Sequence, residues 1–329
     1  MIEKLQKGLY RREAFFSAAA TDKTNCYRLL HGATEGLPGI SIDRYGSIIV
    51  FQTWRNELCN EELSQLRAVI QKHFQEEFHF VWNHRQKRGQ VQHHPVTSLP
   101  ESPIGFELGL QYDVRPIHQG IDPLLFLDFR AGRRWIKAHA QGKEILNLFA
   151  YTCGIGVAAC AGGAKWVQNV DFSQRSLQIG RFNAHKNDFT PAQFQCIQDD
   201  VFPVIRQYSG LGIKGRAAKR GFQKRVPQQF DIVVLDPPRM SKSPFGKVDL
   251  VHDYPALLKP SLLCLKSNGW IMCTNNVASV EETLWHKQIQ RCAHKIRKNI
   301  MRLIPLRPEL DFPSPDQKWP LKIALCQVE

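Results

Sequence analysis

Short apolar runs alternate with amphipathic stretches over the second half of the chain. The runs lie at 144–149, 166–170, 194–197, 232–235, 270–274, 302–305 and 321–327. They are mostly continuous and rich in Val, Ile and Leu, which is typical of strands buried on both faces of a parallel sheet. Helices are expected between them, over 173–187 behind an N-cap at Ser173 and over 253–264. The alternation predicts an α/β fold with a doubly wound, seven-stranded sheet.

The first third of the chain has a mixed pattern. Residues 1–25 predict a helical N-terminal extension, because Ile2, Leu5 and Leu9 would share one helix face. Residues 26–98 predict a small mixed α+β domain. Its expected elements are strands at 39–42, 47–53 and 78–82 and a helix at 60–76.

The third predicted region, 99–329, holds the doubly wound sheet and begins with a hairpin-like segment at 106–114. A polar stretch from His93 to Pro103 is expected to be a solvated linker that leads into this domain. Its paired histidines have no cysteine or carboxylate at ligand spacing, so no metal site is expected.

Carboxylates follow three of the predicted strands, and glycines follow another. Gly154 and Gly156 come after the first strand, Asp171 closes the second, Asp200 follows the third, and Asp236 follows the fourth. The carboxyl ends of strands in an open α/β sheet form its ligand-binding edge. An acid at the second strand can bind both hydroxyls of a ribose, and one after the third can accept from an adenine amine.

The glycine spacing limits the identity of the ligand. The loop has no third glycine, and no Lys-Ser or Lys-Thr follows it as in a phosphate-binding loop. A ligand that contains ribose and adenine but no phosphate fits better. S-adenosylmethionine (SAM) is such a ligand.

The residues after the fourth strand, Asp236-Pro237-Pro238-Arg239, must turn, because two prolines cannot continue a strand. Together with several other segments they carry a resemblance to a known family. Those segments are 27–32 (YRLLHG), 36–46 (GLPGISIDRYG), 126–130 (FLDFR), 146–156 (LNLFAYTCGIG), 183–187 (NAHKN) and 199–202 (DDVF). From about residue 26 onward, the chain resembles the SAM-dependent methyltransferases that modify bases of large-subunit (23S) ribosomal RNA. That family includes cytosine-C5 and guanine-N7 enzymes.

The resemblance implies a class I methyltransferase fold, SAM as cofactor and RNA as partner. It implies a cofactor site at Arg130, Phe149, Tyr151, Thr152, Gly154, Asp171, Asp200 and Asp236. An extruded base needs an acceptor at its edge, for which Asp236, Pro237 and Pro238 are the candidates. It also needs a stacking ring, for which Tyr254 is a candidate, although a tyrosine is more often a core or surface residue. Family members often carry an N-terminal RNA-binding barrel. The residues before Cys26 are too few for one, so RNA binding is expected to depend on basic surfaces.

The target atom depends on the fifth strand. Methylation of cytosine C5 requires attack at C6 by a cysteine thiolate. In cytosine-C5 members of the family that thiol follows the fifth strand, where this chain has Asn275 and Asn276. Cys273 lies earlier, within the strand. A nitrogen acceptor is therefore favoured, and cytosine C5 with Cys273 as nucleophile is the alternative.

The net charge of +14 favours a polyanionic partner. Seven basic residues and no acid lie between 201 and 230, and six of them are candidates for RNA contact: Lys214, Arg216, Lys219, Arg220, Lys224 and Arg225. Arg239 is a further candidate, with a salt bridge at the sheet edge as the alternative. A second acid-free basic run, 286–308, fits either RNA contact or a solvated surface.

The nine cysteines form no Cys-x-x-Cys pair, which favours a reducing, cytoplasmic location. No apolar run reaches the length of a membrane span. Two other classes of protein stay open. A methyltransferase for protein or a small molecule is disfavoured by the basic runs. A non-catalytic RNA-binding protein is disfavoured by the presence of both Asp171 and Asp236.

Overall fold

The computed structural model describes residues 1–54, 56–85, 90–213, 218–219 and 221–329. The chain forms two compact units. The first unit contains Met1–Arg130 and Pro308–Gln317, and the second contains Ala131–Arg307 and Lys318–Glu329. This grouping differs from the predicted division at residues 25 and 98, because the first unit also takes in residues up to 130 and a late segment.

Along the chain, the described part of the first unit has two helices, three strands, a third helix and four more strands. Short 3-10 turns lie at Gly32–Glu35 and Leu127–Phe129. The helices and strands are α1 (Ile2–Arg11), α2 (Glu13–Thr21), β1 (Cys26–Leu30), β2 (Ile40–Tyr45), β3 (Ile48–Thr53), α3 (Asn60–Phe74), β4 (His79–His84), β5 (Gln92–Pro95), β6 (Ile104–Glu107) and β7 (Leu110–Asp113). Strands β1 to β5 form a sheet in that order, and β6 pairs with β7 in a separate hairpin.

One face of the five-stranded sheet is apolar and forms the core of the first unit. Ile42, Phe51 and Phe80 belong to this core, together with Leu5 of α1 and Leu66 of α3. Because side chains of a strand alternate between faces, the intervening residues lie on the opposite face. The N-terminal helices are therefore part of this core, since Leu5 and Leu9 are almost fully buried in it.

The expectation of a solvated linker is wrong at residues 93–95, which belong to the edge strand β5. This strand pairs antiparallel with β4 and needs no apolar side chains, because its ladder uses backbone groups. Its polar side chains are also engaged. His93 Nδ1 lies 2.8 Å from Asn83 Oδ1, and the His94 ring stacks on Trp82 at a centroid distance of 4.7 Å.

The second unit follows the βα alternation that the apolar runs predict, and α4 begins at the boundary. Its elements are α4 (Arg130–His139), β8 (Glu144–Leu148), α5 (Gly154–Ala161), β9 (Trp166–Asp171), α6 (Gln174–Lys186), β10 (Phe194–Gln198), α7 (Val201–Tyr208), β11 (Phe230–Leu235), β12 (Met240–Lys242), β13 (Lys247–Asp249), α8 (Tyr254–Leu263), β14 (Leu265–Asn275), α9 (Glu282–Lys295), β15 (Ile300–Leu306) and β16 (Lys322–Val328).

The predicted seven-stranded sheet is confirmed, with the order β10-β9-β8-β11-β14-β16-β15. Neighbours from β10 to β14 pair in parallel, and β16 pairs antiparallel with both β14 and β15. Strands β8, β11 and β14 are buried through most of their length. Their side chains Leu146, Val233 and Ile271 share one core with Leu258 of α8 and Ile289 of α9. Of the described helices, none combines the length and hydropathy that a bilayer crossing requires.

Candidate cofactor and acceptor site

The carboxyl ends of four parallel strands in the second unit lie level with one another. The last paired residues are Val170 of β9, Leu148 of β8, Leu235 of β11 and Cys273 of β14. The residues that follow them are Asp171, Phe149, Asp236 and Thr274. The register of the sheet therefore brings the predicted cofactor loop and both predicted carboxylates to one edge.

The loop after β8 has an unusual backbone. Phe149, Tyr151 and Cys153 have φ values of 58°, 50° and 59°, in the left-handed region that non-glycine residues rarely adopt. Such conformations persist where the surroundings fix them, and they cluster at functional sites. The loop is fixed from both sides, because Ala150 N donates to Val170 O at 3.0 Å and Asn183 Nδ2 donates to Thr152 O at 3.3 Å.

Gly156 has a packing role. A Cβ at this position would lie 2.2 Å from Asn169 Oδ1. Asn169 is fully buried, accepts a hydrogen bond from Asn147 Nδ2 at 2.9 Å and donates one to Gln195 O at 3.1 Å. Helix α5 can therefore approach β9 only because residue 156 has no side chain. The sequence places this glycine in a loop at the ligand-binding edge but does not reveal this packing contact.

Asp171 is oriented by two backbone amides. Its Oδ2 accepts from Tyr151 N at 2.9 Å, and its Oδ1 accepts from Ser173 N at 2.8 Å. The side chain is 7% exposed, and burial raises its pKa despite these two bonds. Each carboxylate oxygen can accept more than one hydrogen bond, so the pair of oxygens can bind the two hydroxyls of a ribose. The loop conformation and the carboxylate orientation depend on each other through the Tyr151 bond.

Phe172 was not identified from the sequence. It follows Asp171 at the same edge, and 68% of its surface is exposed. An aromatic ring that stays exposed beside a carboxylate able to bind a ribose is suited to stack on a planar base. The sequence does indicate this residue, because Phe172 follows the acid that ends the strand and therefore lies outside the apolar run that forms the core.

Asp200 and its neighbour Asp199 organise the end of β10. Asp200 is the N-cap of α7 and accepts from Phe202 N at 2.8 Å. Asp199 accepts from Asp200 N at 2.8 Å and forms an ion pair with Arg225 at 2.8 Å. Asp200 is partly exposed, so the predicted adenine contact is compatible with its capping role.

Asp236 is partly exposed and accepts a hydrogen bond from Thr274 Oγ1. Pro237 is buried, whereas Pro238 and Arg239 are exposed. The fixed φ of the two prolines and the bond from Thr274 hold the carboxylate at the edge. Thr274 was missed in the sequence, although a polar side chain at the end of an apolar strand is a usable signal.

The two asparagines after β14 have different surroundings. Asn275 is fully buried, donates to Leu250 O at 3.3 Å and accepts from Val277 N at 3.0 Å. These bonds fix the turn that follows the strand. Asn276 is exposed, so of the two it is the one that can meet a ligand.

Cys273 and Tyr254 are part of the core. Cys273 lies within β14 with no exposed surface, and burial raises the pKa of its thiol to about 12. Tyr254 is also fully buried and packs edge-to-face on Trp285 at a centroid distance of 5.8 Å. The geometry does not support Tyr254 as a stacking residue for an acceptor base.

Arg130 is placed in the first unit, in a buried network. Its Nε donates to Glu107 at 3.2 Å, and its other donors bind Glu309, Asp311 and the carbonyl oxygen of Cys26. These bonds engage all five N–H groups of the guanidinium. The geometry does not support the expected contact of Arg130 with a cofactor carboxylate.

The predicted RNA-contact residues are of three kinds. Lys214, Arg216 and Arg220 lie outside the described residues. Lys219, Lys224 and Arg239 are exposed. Arg225 is largely buried, because its ion pair with Asp199 and the bond from its backbone N to Gln207 Oε1, at 2.9 Å, hold it against α7. A residue that already neutralises a carboxylate is poorly suited to bind a phosphate.

A family model for S-adenosylmethionine-dependent methyltransferases matches residues 50–323 of the chain. The chain belongs to this family. The enzyme is therefore a SAM-dependent methyltransferase, and the oriented carboxylate of Asp171 beside the exposed Phe172 fits the ribose and adenine of that cofactor.

The known proteins that the methyltransferase resembles include an rRNA enzyme and two solved structures. It is 28% identical to the ribosomal RNA large subunit methyltransferase I of Aeromonas hydrophila, over 87% of this chain and 70% of that protein. A Streptococcus mutans structure, assigned as a SAM-dependent methyltransferase, is 26% identical with a TM-score of 0.78, over 99% of this chain and 80% of that one. A structure assigned as a methyltransferase and complexed with SAH is 25% identical with a TM-score of 0.80, over 99% of this chain and 81% of that one.

Proposed function

We propose that this methyltransferase modifies a base of large-subunit ribosomal RNA and that the acceptor is a nitrogen atom. One observation carries the proposal. The sheet edge that fits SAM also holds the carboxylate of Asp236, which is fixed by Thr274 and by two prolines. The cysteine of the adjacent strand β14, Cys273, is fully buried. The resemblance to the Aeromonas hydrophila rRNA enzyme supports RNA as the substrate.

The roles of the residues follow from their positions at the edge. SAM, when bound, would supply an electrophilic methyl group, and its transfer to the acceptor nitrogen would release S-adenosylhomocysteine and, from an N–H acceptor, a proton. Asp171 holds the ribose and Asp200 the adenine amine of the cofactor. Asp236 accepts an N–H from the edge of the acceptor base and thereby orients the base. Thr274 positions Asp236 through its hydrogen bond. In this proposal the residues at the edge act mainly by orienting the base against the methyl group and by excluding water.

The state of Cys273 favours nitrogen over cytosine C5. Methylation at C5 needs a thiolate that can reach C6 of the base. A thiol with a pKa of about 12 is protonated near neutral pH, and Cys273 has no exposed surface. A nitrogen acceptor has its own lone pair and needs no covalent partner.

Exposed basic residues support RNA as the partner. Lys219, Lys224 and Arg239 are exposed in the second unit. On α9, Lys287, Arg291 and Lys295 are also exposed, and their spacing of four residues places them along one helix face. We propose that these groups contact RNA phosphates, and that the enzyme works in the reducing environment of the cytoplasm.

A trapping experiment tests the choice of acceptor. RNA that contains 5-fluorocytosine is incubated with the enzyme and SAM and then run on a denaturing gel. We expect no covalent adduct, and we expect Cys273→Ala to keep most of the methyl transfer. An adduct that forms with the parent enzyme and is lost in Cys273→Ala would instead establish cytosine C5 as the acceptor.

A further inference from the structure

The five-stranded sheet of the first unit has an unusual second face. One face is apolar, but the other carries Arg28, Asp43, Gln52 and Asn83 at alternating positions of four strands. Asp43, Gln52 and Asn83 are at most 7% exposed. Burial of a charged or polar side chain costs free energy unless it is paired, so a polar face is a poor choice for a purely structural core.

A cavity of about 170 Å³ lies over this face. A cavity of about 150 Å³ can hold benzene, so there is room for one heterocyclic ring system. The cavity walls include two large aromatic side chains, Trp54 and Phe126, which are 44% and 42% exposed. The cavity is therefore lined by exposed aromatic side chains that can stack on a flat ligand.

The floor of the cavity is fixed by a network around Arg28. Its Nε and Nη2 donate to the two carboxylate oxygens of Asp43, at 2.7 and 3.0 Å, and its Nη1 lies 2.9 Å from His31 Nδ1. The Phe312 ring lies 4.5 Å from the guanidinium carbon. Gln52 Nε2 also donates to Asp43, at 3.3 Å. These contacts use three of the five N–H groups of Arg28, and its plane is held rigidly.

The charges on the cavity walls disfavour an anionic ligand. Two arginines, Arg28 and Arg85, face three aspartates, Asp43, Asp122 and Asp128. A phosphate would meet more negative than positive charge here. A neutral ring with both donors and acceptors on its edge fits the mixed wall, because guanidinium groups donate and carboxylates accept.

We propose that this cavity binds one unstacked base of the RNA substrate, with Trp54 and Phe126 stacking on the ring and Arg28 donating to its edge. The inference rests on the proposed function, because it requires that the partner is RNA. A nucleobase matches the cavity in size, in planarity and in the absence of charge. Aromatic stacking is the usual way in which proteins hold bases of single-stranded RNA.

Binding of a short fluorescent single-stranded RNA of mixed sequence tests the proposal, with fluorescence anisotropy as the readout. Trp54→Ala and Phe126→Ala should each weaken binding about tenfold, because a base–aromatic stack is lost. The double variant should lose less than the product of the two effects, since both rings hold the same base. The salt dependence of binding should keep its slope, because no phosphate contact is removed.

Three controls make the outcome decisive. Tyr10→Ala removes another exposed aromatic side chain of the first unit and should leave RNA affinity unchanged. Trp54→Phe and Phe126→Tyr should retain most of the affinity, because they retain a ring. SAM affinity, measured by calorimetry, should be unchanged in every variant, which shows that the cofactor site is intact.

The results separate the two proposals. If the parent enzyme binds RNA and both alanine variants bind it equally well, the base pocket is wrong while the proposed function stands. A loss of affinity with a lower salt slope would indicate a phosphate site and would also overturn the base pocket. If the parent enzyme neither binds nor methylates RNA, both proposals are wrong.

Discussion

The two large sheets of the molecule carry the polar groups of their candidate sites in different places. In the second unit, the polar side chains of the candidate site lie at the ends of strands, where Asp171, Asp236 and Thr274 share one edge. In the first unit, Arg28, Asp43 and Gln52 lie on a face of the sheet, in the middle of strands. The difference follows from how each sheet is covered. A parallel sheet with helices on both faces must be apolar on both, so only its edge is left for chemistry.

The carboxylates Asp171 and Asp43 show what this difference means for a single side chain. Both are buried, at 7% and 1% exposure. Asp171 is held by two neutral backbone amides, and burial raises its pKa. Asp43 is held by the guanidinium of Arg28. The first carboxylate is poised to accept from a ligand, whereas the second fixes a neighbouring cation.

The largest expected effect lies at the edge. Asp236→Ala should lower the rate of methyl transfer roughly 10²–10³-fold, because an oriented polar group that acts in the transition state is lost. SAM affinity should change much less. Thr274→Val should cause a smaller loss, since it removes only the donor that positions Asp236. Initial rates with labelled SAM measure both, and an Asp236→Ala enzyme with near-normal rates would contradict the assignment of the edge.

The second prediction concerns the polar face. Asp43→Ala leaves the guanidinium of Arg28 without its carboxylate, and breaking a buried ion pair costs about 3 kcal/mol or more. The free energy of unfolding, from urea titration, should fall by that amount. Surface Glu3→Ala breaks only an exposed pair, which solvent screens, and should cost much less stability. If Asp43→Ala and Glu3→Ala were equally stable, the Arg28–Asp43 ion pair would not contribute to the stability of the polar face.

The third prediction concerns Asp171, the buried carboxylate at the sheet edge of the second unit. Asp171→Ala should weaken SAM binding tenfold or more, because hydrogen bonds to a charged acceptor are worth about 1.5–3 kcal/mol. Calorimetry on the folded variant measures this loss. Asp43→Ala should leave SAM affinity unchanged at temperatures where the protein is folded. An Asp171→Ala protein with the parent affinity would remove Asp171 from the cofactor site.

The raised pKa of Asp171 also predicts a pH dependence. Only the carboxylate form accepts hydrogen bonds from ribose hydroxyls. SAM affinity should therefore fall as the pH drops through the pKa of Asp171, which lies above the pKa of an ordinary aspartate. Stability should respond in the opposite sense. The folded state takes up the proton at higher pH than the unfolded state, so this group raises the free energy of unfolding as the pH falls through that window. In Asp171→Ala both changes should be absent.

The smallest effect concerns the RNA-contact residues. Replacing Lys219 and Lys224 with Ser should lower the log–log salt slope of RNA binding by about 0.7–0.9 for each lost phosphate contact. Arg225→Ser should change the slope less, because Arg225 pairs with Asp199, and should instead lower the stability of the protein. A slope that falls only in Arg225→Ser would reverse these assignments.

Much of the second unit could be predicted from the sequence. The central strands of its large sheet are buried on both faces, so each appears as an apolar run, and the run at 166–170 corresponds to the strand Trp166–Asp171. The strand-end acids could be found because polar residues that follow such runs stand out. The first unit was harder, since β5 (Gln92–Pro95) has no apolar run and Arg28 interrupts the apolar residues of the short β1 (Cys26–Leu30).

The roles of single residues depended on contacts that the sequence does not contain. Arg130 and Arg225 looked like ligand contacts, but each is held by carboxylates that are distant in the chain. Gly156 looked like part of a ligand loop, but its contact is Asn169. Which side chains form ion pairs or pack together is decided by the tertiary structure. Residue type and spacing could therefore identify the sheet edge, but not the contacts of single residues.

Nucleoside mass spectrometry tests the central claim most directly. Large-subunit rRNA is incubated with the enzyme and methyl-deuterated SAM, digested to nucleosides and analysed, with Asp236→Ala as the matched control. We expect the label on a nitrogen of a purine or pyrimidine, absent in the control and retained in Cys273→Ala. Label at carbon 5 of cytosine, or label in protein with none in RNA, would contradict the account.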